Sequence, residues 1–325
     1  MHQRYLAAIG SAVFIAFAAN SYAACVSISP NPNPAGHTVN NVAANGCSDD
    51  YQNNGTLNNA GTIATDTLGN DGTLNNSGQI KYNALSNNGV LNNSGALPGS
   101  SFSNTGVTNN AGIINSNSVQ NTGTLLNAGA IIGTGNVNQN GGTLVNNGLI
   151  VENKVNVNGG ALQGNGIVVA PVIVNGGTIN AGDMGAGTGT LTIDGKLSFN
   201  SGVLLTEISG TSAGSFDLLK VTDKASFLGG VLEFSFLDGY LPDVGDSWLF
   251  LTADGGVSGW EGLTREFLGV PSNYLFDVQA ANGGLVLSVA AVPEPETYAM
   301  MIAGLGFLTF VVRRKKSASF QGFAA

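Results

Sequence analysis

The chain has 325 residues, 10% of them charged, with 48 glycines, two cysteines and a formal net charge of −9. Between residues 24 and 292 the 18 acidic and 6 basic residues leave −12, which argues against a nucleic-acid surface, since phosphates need a basic groove. Low charge with abundant Gly and Asn suits a disordered chain, but regular apolar rows supply the buried surface that such a chain lacks.

Arg4, an apolar core over 5–19 and Ser21-Tyr22-Ala23 read as a secretion signal, with a helical core and cleavage after Ala23. Cys25 follows Ala23-Ala24, but Tyr22 stands where a lipoprotein signal normally carries Leu, which disfavours lipidation. In an exported chain Cys25 and Cys47 are expected to form a disulfide closing a loop with Pro30, Pro32 and Pro34. Residues 24–52 would then cap the element that follows. No metal site is expected here, because His37 is the only nearby histidine and no further cysteine completes a set.

Residues 53–182 repeat. Glycine recurs at 55, 72, 89, 106, 123, 142, 160 and 177, at intervals of 17, 17, 17, 17, 19, 18 and 17, and a second row from Gly61 to Gly182 runs about six residues behind. A fixed period of this size means a solenoid. Three apolar rows follow the glycines. One runs through Leu57, Leu74, Leu91, Leu125, Leu144, Leu162 and Ile179, with Thr108 as its exception. The second runs through Ile63, Ile80, Leu97, Ile114, Ile131, Ile150 and Val168, and the third through Leu68, Leu85, Phe102, Val119, Val137, Val155 and Ile173. Each unit thus offers three short segments with one inward anchor apiece. Seventeen residues are too few for two helices with turns, and Gly and Asn oppose helix. The expected fold is all-β, a parallel β-helix rising roughly 4.8 Å per coil, right-handed by the crossover rule.

Asparagine stands two residues before each first-row glycine: Asn53, Asn70, Asn87, Asn104, Asn121, Asn140, Asn158 and Asn175. Asn suits turns and passes amide hydrogen bonds between stacked coils, so this row is expected to be a structural ladder rather than a set of sugar contacts. Thr56, Thr73, Thr124, Thr143 and Thr178 should face outward, in a row interrupted by Val90, Val107 and Ala161. Such Thr suits an exposed strand, with an ordered-water, ice or sugar surface as the functional alternative.

Over 183–291 the strands lengthen and alternate, and Lys196, Ser198, Phe199, Gly202 and Leu204 recur 28 residues later as Lys224, Ser226, Phe227, Gly230 and Leu232. Wider coils and closing strands are expected here, ending in a hairpin around Asn282-Gly283-Gly284. With Phe216-Asp217-Leu218-Leu219-Lys220-Val221 and Gly255-Gly256-Val257-Ser258-Gly259, this region resembles the C-terminal part of autotransporter-type β-helix passengers.

The tail runs Val292-Pro293-Glu294-Pro295-Glu296, then an apolar stretch over 298–312, then Arg313-Arg314-Lys315-Lys316. Over 292–316 it resembles the PEP-CTERM sorting signal of Gram-negative bacteria, with 317–325 as an extra cytoplasmic tail. The resemblance implies recognition of Pro293, Glu294 and Pro295 by an inner-membrane exosortase, cleavage nearby, and passage to the cell surface or extracellular matrix. Fifteen apolar residues make a helix of roughly 22 Å, a marginal transmembrane span whose basic end stays in the cytoplasm. A temporary anchor is therefore expected.

Catalysis by a polysaccharide lyase or hydrolase would need converging carboxylates, whereas the repeats carry only Asp66, Asp71 and Glu152 as acids and Lys81 and Lys154 as bases. Later acids at 217, 223, 233, 238, 243, 246 and 254 lack calcium-loop spacing and read as solvated turn carboxylates. The reading is an exported, non-enzymatic solenoid without cofactor or metal, structural or adhesive in an exopolysaccharide matrix and contacting polysaccharide. A polysaccharide-active enzyme and an ice-binding surface are the alternatives.

Overall fold

The computed structural model describes residues 25–183, 187–290 and 300–308. Within these, the chain winds as a three-faced parallel β-solenoid. One face is a sheet of twelve parallel strands, from Thr38–Asn41 and Thr56–Asn59 to Thr264–Leu268, which at about 4.8 Å per strand makes a rod roughly 50 Å long. The other two faces share longer strands such as Thr62–Asn70, which turn a corner at Thr65 and Asp66. From Ala130–Ile132 and Asn136–Gln139 onward that corner opens and the two faces have separate strands.

One apolar residue from each face points inward and is fully buried, as in Leu57, Ile63 and Leu68, then Leu74, Ile80 and Leu85. Thr108 fills the leucine position of its coil by donating to Asn104 Oδ1 at 2.9 Å and accepting from Asn87 Nδ2 at 3.1 Å. Ile173 departs from the expected rows. Val172 is the buried partner of Val155, and Ile173 faces outward beside Asn156. An extra residue in the preceding turns had moved the glycine by one place relative to the strand.

The glycine rows mark close approach between coils. A Cβ on Gly72 would lie 2.0 Å from the carbonyl oxygen of Gly55, which accepts the Thr73 amide at 2.8 Å. Both glycine rows sit in this position, apart from Gly182, which instead approaches the Gly187 carbonyl, so the turns stack directly on one another.

Residues 25–45 form an incomplete coil of the same path, stacked on the first full coil. Val26–Ser27 pairs with Gly46 and Cys47, Asn33 bridges Asn53, and Thr38–Asn41 pairs with Thr56–Asn59. Cys25 and Cys47 are joined, with Cα atoms 5.7 Å apart. At the other end Val203–Ile208 pairs with Val231–Phe236 across 28 residues, and residues 209–217 form an excursion between coils. The strands Leu275–Ala281 and Gly284–Ala290 form an antiparallel hairpin through Asn282 and Gly283, both at positive φ, and Gly284–Ala290 adds antiparallel to Ser247–Ala253.

Residues 300–308 are helical, within the expected span 298–312 but shorter than it. No helix among the described residues is long and apolar enough to cross a membrane. The signal segment 1–23, Pro293, Glu294, Pro295, and the cluster Arg313, Arg314, Lys315, Lys316 lie outside the described residues.

Candidate functional site

Asparagine forms three rows in the first half of the rod, two inside and one outside. Five of the eight expected positions make the first interior ladder. Asn33, Asn53, Asn70, Asn87 and Asn104 each donate Nδ2 to the next member's Oδ1 at 2.6–2.8 Å, and Asn121 passes the chain to Gln139 Oε1 at 2.7 Å. The same Nδ2 atoms also reach a backbone carbonyl one coil on, as from Asn53 to Thr73 O at 2.9 Å. Asn140, Asn158 and Asn175 do not join this ladder. An added residue in the turn 140–142 places Gln139 opposite Asn121 and leaves these three exposed, in an exterior row that continues to Asn200.

A second interior ladder has no counterpart in the sequence expectations. Asn41, Asn59, Asn76, Asn93, Asn110 and Asn127 donate in turn, ending on Asn146, each step 2.7 Å. Its signal is the same Asn-x-Gly spacing, before the second glycine row.

The third row lies on the outer surface of the first face. In a strand such as Thr56–Asn59 the leucine and second asparagine point inward, so Thr56 and Asn58 point outward. Asn109 donates to Asn92, Asn92 to Asn75, Asn75 to Asn58 and Asn58 to Asn40, at 2.7–2.8 Å. Each inner member of this row uses one N–H and one acceptor site. Its other N–H and lone pair face solvent, a donor and an acceptor at every strand spacing. Beside the row runs a groove of 420 Å³, walled on the turn side by Val42, Ala60, Ser77, Ser94 and Ala111. No charged residue lines it. It ends where Leu126, 40% exposed, takes the place of the next asparagine. The outward threonines Thr56, Thr73 and Thr124 flank it in a column where Val90 and Val107 intervene.

The acids are arranged differently. Asp217 is buried rather than solvated, accepting from the backbone N–H of Gly189 and of Glu207, each at 2.8 Å. Burial pushes it up to about 7 against those two hydrogen bonds, and nearby Glu207 adds to the rise. Asn180 Nδ2 donates to Glu207 Oε2 at 3.2 Å. Asp217, through Gly189 and Glu207, ties the end of the 209–217 excursion to the rod. Glu152 sits at the corner between the second and third faces, its carboxylate in the space that Gly133 leaves: a Cβ there would be 2.7 Å from Oε1. Neither oxygen makes a hydrogen bond of ordinary geometry, and burial pushes the group up to about 7, with the Gly135 backbone offsetting part of the rise. Among the described residues no three His, Cys, Asp or Glu side chains converge on a common point.

Residues 291–315 match the PEP-CTERM protein-sorting motif. No curated protein matches the chain. The chain therefore carries a β-solenoid body followed by this sorting motif, which implies export, transient membrane anchoring and exosortase processing before display at the cell surface.

Proposed function

We propose that the solenoid is a structural or adhesive component of the cell surface or exopolysaccharide matrix of a Gram-negative bacterium. The observation that carries this reading is the junction at the C-terminal end. Gly284–Ala290 is an integral cap strand, and the sorting motif begins with the next residue, 291. Cleavage near Pro293, Glu294 and Pro295 would remove the apolar segment and basic cluster while leaving every coil in place. On this reading 298–312 holds the chain in the inner membrane until cleavage, and the rod is delivered by its C-terminal end. The outer asparagine row occupies the opposite end, where repeated weak contacts suit a polymer. Polysaccharide is the partner this reading favours.

The test is to replace Pro293, Glu294 and Pro295 together by alanine and fractionate the cells. The expected outcome is uncleaved protein retained with the inner membrane and lost from the surface fraction. Normal surface delivery of the triple variant would count against the reading.

A further inference from the structure

We infer that the groove along Asn40, Asn58, Asn75, Asn92 and Asn109 binds a neutral, extended glycan lying parallel to the rod axis, about one sugar unit per coil. The inference rests on the polymer-contact reading of the surface and names its ligand class.

Three features select this ligand. The lining contains only Asn, Ala, Ser and Val, so nothing in it compensates a charged polymer. Uronate chains, nucleic acid and cationic peptides all lack a counter-charge there. Each rung presents one free N–H and one free acceptor, and a sugar hydroxyl, both donor and acceptor, answers both. The rungs also repeat at the strand spacing, roughly 4.8 Å, close to the advance of one pyranose unit in an extended glycan. An extended polypeptide repeats at roughly 6.6 Å for two residues and falls out of step after the first rung or two.

The neighbouring geometry fits a chain rather than a single sugar. The turn column of Ala60, Ser77, Ser94 and Ala111 is low, which leaves the groove open along the axis. The amides are already held by one another, so little side-chain freedom is lost when a ligand binds. No aromatic ring lines the groove, so single contacts are weak and affinity grows with the number of rungs occupied. Leu126 closes the series, setting a footprint of about five units.

The test uses the full chain in a zwitterionic detergent without a sugar headgroup. Neutral hexasaccharides (cellohexaose, chitohexaose and mannohexaose), their disaccharides and polygalacturonate are titrated by calorimetry. At least one neutral hexasaccharide should bind at least tenfold more tightly than its disaccharide, and polygalacturonate should not bind. Ser77→Tyr with Ser94→Tyr, which fills the groove and keeps every ladder amide, losing only the two hydroxyl bonds to the Asn59 and Asn76 carbonyls at 3.3 Å, should weaken that binding at least tenfold. Asn75→Leu with Asn92→Leu should do the same, whereas Asn156→Leu, on another face, should leave it unchanged. Circular dichroism and thermal midpoints identify any variant that fails to fold, in which case the tyrosine pair decides. Absence of hexasaccharide binding at millimolar concentration would overturn the inference, as would binding indifferent to both groove pairs. Thermal hysteresis without glycan binding would also overturn it and assign the face to ordered water. Failed surface delivery is read in cells, so it is separable from failed binding.

Discussion

The two halves of the rod solve one packing problem in opposite ways. In the coils up to Gln139 the corner where the third face meets the first is filled by asparagine amides, Asn33 to Asn121, each hydrogen-bonded to the next. Beyond it the same column continues as Val157, Val174, Phe199 and Phe227. The corner between the first and second faces changes likewise, from its own asparagines to Thr206, Phe234 and Phe267. An amide ladder needs every member at one register, and from Asn53 to Asn121 the coils that hold it repeat at 17 residues, while longer turns at either end (20 residues from Asn33 to Asn53, 19 from Asn127 to Asn146) leave the rungs joined. An apolar corner asks only for volume, and there the coils lengthen, with Val203 opposite Val231 and Leu219 opposite Leu251. Fixed hydrogen bonding therefore holds the strands at one register while the turns between them take up extra residues, and that register sets the even rungs on the outer face.

The contrast breaks first at an aromatic corner. Phe234 packs edge-on to Phe250 at 5.0 Å and against Phe267 at 5.4 Å, and Phe234→Ala should cost about 4 kcal/mol of stability by denaturant titration. Next comes the ladder itself. Asn70→Leu removes the acceptor of Asn53 and the donor to Asn87 in a fully buried column, for an expected loss of about 3 kcal/mol. The same leucine at Phe199, in the apolar continuation of that column, should cost about 1 kcal/mol. Equal losses at the two sites would erase the distinction between the halves.

A smaller effect arises at the junction, where Glu152 is buried. Unfolded, this carboxyl ionises near 4.5, whereas in the fold it keeps its proton to about 7. Folding takes up a proton between those values, so stability is greatest below the lower one, falls as pH rises through the window and levels above it. The expected loss from Glu152, reduced by partial solvent screening at the corner, is about 2 kcal/mol, and Asp217 adds a dependence of the same sign. Glu152→Gln should flatten the Glu152 part in urea midpoints measured across that range. The smallest effect separates the halves by length. One glycine inserted after Ser212, in the exposed excursion, should change stability by less than about 0.5 kcal/mol. Inserted after Leu91, within the strand Val90–Asn93, it should cost at least about 2 kcal/mol, because it takes Asn93 off the register that joins it to Asn76 and Asn110.

The three-faced solenoid was legible because its anchors recur in fixed relation to glycine and each answers to burial alone. Counting from glycine failed where a turn gained a residue, at Ile173 and at Asn140, Asn158 and Asn175, because pairing follows the strand and not the turn. The second interior ladder carries the same Asn-x-Gly spacing ahead of the second glycine row, from Asn59 to Asn146. The outer row and its groove follow once Asn59 is known to point inward, since its neighbour Asn58 must then point out. Glu152 was not legible, because its burial depends on the space above Gly133, one coil away. Asp217 reads as a turn acid until the fold brings Gly189 and Glu207 to it.

The most direct test of the account is the intact mass of the protein recovered from the cell surface, in cells with and without exosortase. The account predicts a species beginning near Ala24 and ending close to Pro293, Glu294 and Pro295, with Cys25 and Cys47 oxidised, which disappears from the surface when the enzyme is absent. A surface species that keeps the basic cluster, or one unchanged by loss of the enzyme, would contradict it.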